Sequence, residues 1–353
     1  MTSVLVTGAK GFLGSALVND LLESGYDVRA LVRNPAPQSY RKAVDIVVGD
    51  IRDPQCVKQA SSGCDTVVHL AGQAHALDDD HVSDQDYQSI NVDGTKHLLD
   101  GAVASGVRTF IFASSVKVFG ETTTGSVDER EPPAPKSPYA RSKWMAEQLV
   151  SSYAKEGSLA TLSLRLPLVY GPTEKGNLYR MIAAIDQGKF PPLPPVQAVR
   201  SMLHVKNFVL AVRAVLQSDG FLKPMYVATD ANPYSITEVY DLLRKGLGLQ
   251  PPLSRVPLWA LSVGGQCGDI VQALFGKTAP LSSTTLEKLI GLYQACPINF
   301  SNVAEERGAV FPKRACTISP HCPPTDSAHK GTRDKGGCRP NPFRRRSYTS
   351  VME

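Results

Sequence analysis

The sequence predicts an α/β fold: a doubly wound parallel sheet with helices on both faces, followed by a smaller C-terminal lobe. Three observations predict it. Short β-branched and apolar runs alternate with segments of helical period from Ser3 to Leu166, which is the pattern of a parallel sheet covered on both sides. A turn with glycines at Gly8, Gly11 and Gly14 separates the first apolar run from the first helical one. After Gly171 the alternation stops and prolines accumulate, as in Pro191-Pro192-Leu193-Pro194-Pro195, so the architecture changes there.

Each element has its own signal. Strands are predicted at Ser3 to Thr7, Val28 to Val32, Asp45 to Val48, Thr66 to Leu70, Thr109 to Ala113 and Thr161 to Leu166, all short and β-branched. Phe12, Leu13, Ala16, Leu17, Leu21 and Leu22 follow helical spacing, and Gly25 ends that helix. Further helices are predicted at Pro54 to Ala60, at Tyr87 to Ser105 with Gly106 closing it, and at Ser137 to Lys155 with Pro138 in the first turn. The expected division is a dinucleotide-binding part over 1–170 and a substrate lobe over 171–313 whose segments are free to cross back. A tail, disordered or atypical, is expected over 314–353, where Pro, Ser, Thr, Lys, Arg and Cys dominate.

Composition narrows the functional class. The 353 residues are 42% hydrophobic and 20% charged, with a net charge of +5, ordinary values for a globular chain. Much of the basic excess lies in Arg339 and Arg344 to Arg346, so nucleic acid is not an expected partner. The longest apolar stretch, Val256 to Val263, is far short of a membrane span of about 20 residues. With no signal-peptide pattern at the start, a cytoplasmic location is expected. The seven cysteines are scattered, with no Cys-x-x-Cys. Reduced thiols are expected, and no metal site; Cys316, His321, Cys322, His329 and Cys338 fit no zinc spacing.

The chemistry-bearing residues lie at strand ends. In Thr7-Gly8-Ala9-Lys10-Gly11-Phe12-Leu13-Gly14, Gly8 permits a tight turn. Gly11 lets backbone approach a pyrophosphate, and Gly14 lets the helix sit close on the strand, with free N–H groups at the helix start for the phosphates. This is the Rossmann fingerprint, and it implies NAD or NADP. Arg33, in place of an acidic residue at the end of the second strand, leaves that choice open, with NAD favoured. Asp50 and Ile51, after the third strand, are candidates for the adenine; Leu70, Ala71 and Gly72 would let the cofactor lie against the sheet edge.

Ser115 ends the fifth strand, and Tyr139 and Lys143 lie four apart on the following helix, on one face. Oxidising a carbinol requires removal of its hydroxyl proton. A free tyrosine has a pKa of about 10. A neighbouring Lys143 ammonium and a positive nicotinamide ring are expected to lower it toward the working pH. Ser115 would hydrogen-bond the same substrate oxygen, and Lys143 would also hold the nicotinamide ribose.

Together the motifs TGAKGFLG, GDIRD, HLAG, NVDGT, FASSVKVFG, SPYARSK and RLPLVYGP resemble the extended short-chain dehydrogenase/reductases, in their NAD-dependent epimerase/dehydratase branch. The resemblance covers residues 3–310. It implies that Asn91 lies near the nicotinamide, that Leu166 to Val169 line its pocket, and that Lys117, Asn177 and Arg200 meet a nucleotide-sugar substrate, Arg200 at its diphosphate. It also implies a homodimer through the helices at 87–105 and 137–155. The Asp-Glu pair that 4,6-dehydratases place after the active-site Ser or Thr is replaced by Val116 and Lys117, which disfavours dehydration. The expected activity is hydride transfer at C4 of a UDP-hexose or UDP-N-acetylhexosamine, by a 4-keto-sugar reductase or a 4-epimerase. A reductase of a steroid- or flavonoid-like carbonyl and a non-catalytic dinucleotide-binding regulator are the alternatives.

Overall fold

The computed structural model describes residues 2–34, 44–74, 82–123, 125–174, 176–218 and 223–275, with isolated positions among 283–295 and 348–352. In chain order the first half runs β1 (Ser3–Thr7), α1 (Phe12–Glu23), β2 (Asp27–Val32), β3 (Asp45–Val48), α2 (Pro54–Ser61), β4 (Thr66–His69), α3 (Asp84–Tyr87), α4 (Gly94–Ala104), β5 (Thr109–Ser115), β6 (Ser126–Val127), α5 (Pro138–Lys155) and β7 (Ala160–Leu166). The second half adds β8 (Leu168–Tyr170), α6 (Asn177–Asp186), β9 (Val199–Arg200), β10 (Met202–His204), α7 (Val205–Gln217), β11 (Met225–Val227), β12 (Tyr234–Ser235), α8 (Ile236–Gly246) and α9 (Leu258–Phe275).

Seven strands form one parallel sheet in the order β3-β2-β1-β4-β5-β7-β11. The sequence-derived α/β doubly wound architecture is thus the observed one. The order reverses at β1, which lies between β2 and β4; ligands of such sheets bind at the carboxyl ends of the strands beside that point. The two-residue period of a strand sorts the core into two layers. Val4, Val6, Val68 and Ile111 face α1 and α7, whose Leu17, Phe208 and Val212 cover them. Leu5, Val67, Phe110 and Phe112 face the opposite layer, with Leu98 and Leu99 of α4 and Ala146 and Val150 of α5. Phe110, Phe112 and Leu5 are fully buried, each worth about 1.5–3 kcal/mol of transfer free energy.

Two elements differ from the sequence expectation, and both differences shape the site. The helix expected from Tyr87 begins at Asp84 and widens to a π-helical turn over Gln88–Asp93 before α4. The wider turn carries Asn91 inward, where it is 1% exposed; such turns are frequent at functional sites. Strand β5 continues past Ala113 to Ser115 because it stays paired with β7 through Ser115↔Leu166.

The second half of the chain builds its own core and also returns to the first. Met181, Ile182, Leu193, Tyr240 and Leu243 pack together beneath α6 and α8, and β9 pairs antiparallel with β12. Yet α7 packs on α1, with Arg213 against Asp20 at 3.4 Å, and β11 extends the main sheet beyond β7. Most of 314–353 lies outside the described residues. Tyr348, Val351 and Met352 are described: they join the core of the second half, and Tyr348 donates to Asp186 at 2.8 Å. Among the described residues no helix is long and apolar enough to cross a membrane.

Candidate functional site

The glycine turn is built for close approach. Gly8 has φ +67°, and a Cβ there would lie 2.7 Å from Ala71 N, against the backbone that leaves β4. A Cβ on Gly14 would lie 2.2 Å from the Gly8 carbonyl oxygen, so α1 can sit on the turn only with hydrogen at that position. Gly11 precedes α1, and no side chain caps the helix. Its first N–H groups are therefore left for an external anion, favoured there by the helix dipole. Phe12 reaches Gly171 at the start of the second half, and Leu13 packs against the core.

A groove of about 310 Å³ opens above this turn, lined by Gly8, Gly11, Arg33, Asp50, Ile51, Leu70, Ala71 and Gly72 among others. Most of the expected cofactor residues of the first half are thereby brought together. Arg33 is exposed along its wall. Asp50 is bound by Arg52, from Nε at 3.0 Å, Nη2 at 2.7 Å and the backbone N at 2.9 Å. That hydrogen bonding holds the carboxyl below the usual range. The sequence reading missed Arg52 as its partner. The buried Ile51 lies against Gly94, at the start of α4.

Ser115, Tyr139 and Lys143 meet at the carboxyl edge of β5. Ser137 caps α5 by accepting from Ala140 N at 3.3 Å, which sets the first turn that presents Tyr139. The Ser115 and Tyr139 side chains share a hydrogen bond. Lys143 is buried; its Nζ donates to Ala113 O at 2.9 Å and lies 4.7 Å from the centroid of Phe112. Gly72 brings the cofactor groove to this point, since a Cβ on it would lie 2.9 Å from Asn91 Oδ1 and 3.3 Å from Lys143 Nζ. Asn91 accepts from Gln73 N at 2.7 Å and donates to Gln73 O at 3.0 Å and Ser142 Oγ at 2.9 Å. Leu166 is buried at the end of β7, paired with Ser115, and Val169 packs on the sheet core.

The electrostatics of the site are dominated by burial. Burial pushes the Tyr139 phenol up to about 12, against the Ser115 hydrogen bond that favours its ionised form. Desolvation sets the direction in the chain by itself; the expected lowering was for a site that also holds the positive nicotinamide ring. Burial also pushes Lys143 down to about 8, opposed by the Glu147 carboxylate. Tyr87 stands edge-on to Tyr139 with ring centroids 6.1 Å apart, a contact the sequence did not reveal.

Beneath the site lies a buried histidine. Thr95 Oγ1 donates to Asn91 O at 2.6 Å, so it accepts from His69 Nε2 at 3.0 Å. Burial keeps the ring uncharged, so Nδ1 accepts from Thr7 Oγ1 at 2.7 Å, and Thr7 Oγ1 in turn accepts from Ala71 N at 3.1 Å. The imidazole is therefore the neutral Nε2–H tautomer, and burial pushes its pKa down to about 3. This chain of hydrogen bonds joins the end of β1, the end of β4 and the Asn91 turn. The sequence signal for it was a histidine at the end of a short strand with a Val-Val centre, where a buried polar group needs a partner.

The expected substrate residues are more dispersed. Lys117 is paired with Glu121 at 3.1 Å. Asn177 is the exposed first residue of α6. Arg200 is half-buried in β9 opposite Tyr234 of β12, and burial pushes its guanidinium pKa down. The Tyr170 hydroxyl bonds Asp230 and Tyr234, and Asp230 also accepts from His204 N at 3.0 Å and Asn207 Nδ2 at 2.7 Å. The ribbon bearing Arg200 is thus tied to β8. Among the described residues no group of three His, Cys, Asp or Glu side chains is placed to hold a metal ion; Cys316, His321, Cys322, His329 and Cys338 lie outside them.

Comparison with known proteins gives the same outline. The chain is 31% identical over 313 residues to UDP-glucose 4-epimerase of Vibrio cholerae, covering 87% of this chain and 90% of that one. It is 29% identical over 294 residues to N-acetyl-α-D-glucosaminyl-diphospho-ditrans,octacis-undecaprenol 4-epimerase of Escherichia coli O157:H7, covering 83% and 86%. The structure of UDP-glucose 4-epimerase from Thermus thermophilus, a complex with NAD, superposes with a TM-score of 0.63 at 25% identity over 88% of this chain and 94% of that one. The glycine cradle, the open start of α1 and the groove beside them fit a nicotinamide dinucleotide. The model of the NAD dependent epimerase/dehydratase family matches residues 4–227, and the chain belongs to that family.

Proposed function

We propose that the chain moves hydride at C4 of a UDP-hexose or UDP-N-acetylhexosamine, as a 4-epimerase, through Ser115, Tyr139 and Lys143. The observation that carries this reading is the meeting of Lys143 and Asn91 at Gly72, where the groove of the glycine turn reaches the end of β5, beside the bonded pair Ser115 and Tyr139. The names of the Vibrio and Escherichia relatives, both 4-epimerases, favour epimerisation over net reduction.

When bound, the dinucleotide supplies the hydride acceptor and donor. The α1 N-terminus and glycine turn hold its diphosphate, with Arg33, Asp50 and Ile51 at the adenosine end and NAD favoured over NADP. Lys143 holds the nicotinamide ribose and keeps a positive charge beside the phenol. Tyr139 takes the proton from the 4-hydroxyl as hydride leaves C4, and returns it to the same oxygen once the 4-keto sugar has turned and regained hydride on its other face, while Ser115 hydrogen-bonds that oxygen. A phenol at about 12 in the chain alone needs added positive charge before it can act as a base; turnover is thereby confined to the loaded site. Leu166 and Val169 wall the nicotinamide, and Lys117, Asn177 and Arg200 orient the sugar nucleotide. Val116 and Lys117 offer no acid–base pair for elimination. Exposed Val103 on α4 and Met145 on α5 support a homodimer through those helices, and a cytoplasmic location suits soluble sugar nucleotides.

The test is incubation of the purified protein with UDP-glucose, UDP-N-acetylglucosamine and a polyprenyl-diphosphate-linked N-acetylglucosamine, with NAD and NADP in turn, followed by proton NMR of the sugar. C4 inversion of a UDP-sugar without net cofactor change is expected. Net reduction alone, inversion of the lipid-linked sugar alone, or no response to UDP in a thermal-shift titration would each overturn it.

A further inference from the structure

The pair Glu147–Arg165 joins the three elements that carry the proposed site. Glu147 lies one turn beyond Lys143 on α5, and Arg165 precedes Leu166 on β7. Their side chains are 6% and 3% exposed. Arg165 donates from Nε to both carboxylate oxygens, at 3.0 and 3.2 Å, and from Nη2 at 2.7 Å. Ser114, the neighbour of Ser115, donates from its hydroxyl to the same carboxylate. The guanidinium lies over Phe119, 4.4 Å from its centroid. One carboxylate therefore links the ends of β5 and β7 to the helix that presents Tyr139 and Lys143.

An ion pair withdrawn this far from water is a weak source of stability, because desolvation of two charges offsets most of their attraction. The surroundings of Lys143 give it another use. Facing or near that ammonium are Tyr139 and Glu147 from α5, His69 from β4, the neutral amide of Asn91 from the π-helical turn, and Arg165 of β7 beyond Glu147. His69 is neutral, with its pKa near 3, and Tyr139 is un-ionised at neutral pH. Within this set the negative charge belongs to Glu147, and it acts to raise the pKa of Lys143 against burial.

We propose that Glu147, held by Arg165 and Ser114, is a positioning residue whose carboxylate is the counter-charge of the Lys143 ammonium and sets α5 in register with Ser115. The proposal deepens the Ser115–Tyr139–Lys143 reading and rests on it. It assigns the buried pair a role in keeping Lys143 charged rather than in holding the fold.

The test removes both charges together in Glu147→Gln/Arg165→Met, which leaves an acceptor for Ser114 and no unpaired guanidinium. Lys143 is titrated by NMR of lysine labelled at Cε, its signal assigned by its loss in Lys143→Arg. NADH binding is followed by fluorescence from pH 6 to 9. The double variant is expected to melt within a few degrees of the parent. Its Lys143 midpoint should fall by about one pH unit, with about fivefold weaker NADH binding near pH 8. Glu147→Gln alone, which keeps the Arg165 charge, must lower the midpoint at least as far. A midpoint that stays near 8 in either folded variant, or a loss of melting temperature with an unmoved titration, overturns the proposal. Neither readout uses a sugar substrate. A parent chain that binds NADH but turns over no sugar would defeat the C4 reading and leave this test intact.

Discussion

Thr7 Oγ1 lies 2.7 Å from His69 Nδ1, directly beneath the glycine turn. The imidazole is held neutral there, with its pKa pushed by burial from 6.5 to about 3. Between those values the unfolded chain binds a proton that the folded chain does not. The neutral form therefore contributes stability above pH 6.5 that is lost as the pH falls toward 3, at up to about 1.4 kcal/mol per pH unit. Urea unfolding at pH 7, 6, 5 and 4 should show this decline. His69→Gln should reduce stability at pH 7 by about 1–3 kcal/mol, through an unsatisfied threonine hydroxyl, and should flatten the acid dependence. An equally steep decline in the variant would mean that another group titrates.

Tyr139→Phe should lower turnover by about 10²–10⁴-fold, the usual worth of a general acid–base group. NADH affinity should change by less than about threefold, since the phenol hydroxyl is assigned to the substrate proton. Stopped assays and fluorescence titration separate the two, and retained turnover in the variant would remove Tyr139 from the chemistry.

Gly14→Ala would set a Cβ 2.2 Å from the Gly8 carbonyl oxygen and 2.7 Å from the Ala9 Cα. Both neighbours are backbone, so no rotamer relieves the clash. The expected cost is about 3 kcal/mol or more, at the upper end of overpacking, together with loss of dinucleotide binding. A melting curve equal to that of the parent would show that α1 can withdraw at no cost.

Gly72→Ala should behave differently, because its Cβ would meet the side-chain ends of Asn91 and Lys143 at 2.9 and 3.3 Å. Those ends can shift, so the change in stability should stay under about 1 kcal/mol. NADH binding should weaken by about tenfold, equivalent to about 1.4 kcal/mol. Equal losses of stability and binding would point to backbone displacement instead.

Much of the sheet was legible because the signals were local. Val4, Leu5 and Val6 are apolar on both faces, as a central parallel strand must be, and Gly8, Gly11 and Gly14 punctuate the turn after it. The grouping of Ser115, Tyr139 and Lys143 needed only a strand end and a four-residue helical spacing. The features that escaped depend on contacts between distant segments. The π-helical turn at Asn91 and the bond from Thr7 to His69, 62 residues apart, leave no trace in periodicity. Nor does the pairing of Glu147 with Arg165, which lie on a helix and on the strand after it, and only the fold brings them together. The burial of Tyr139 escaped for a related reason, since spacing reveals a neighbouring ammonium but not the extent of desolvation.

The return of α7 and β11 to the main sheet has a practical consequence for dissecting the molecule. A chain stopped after residue 170 would keep the glycine turn and Ser115, Tyr139 and Lys143, yet it would strip β7 of its outer neighbour and leave α1 without the helix that covers it. The bare edge of β7 would offer unpaired N–H and C=O groups to other chains, and the uncovered flank of α1 would add apolar surface beside them. Such a fragment should precipitate or self-associate. A severed version would need a break on the far side of Val227, where the last strand of the sheet is already in place.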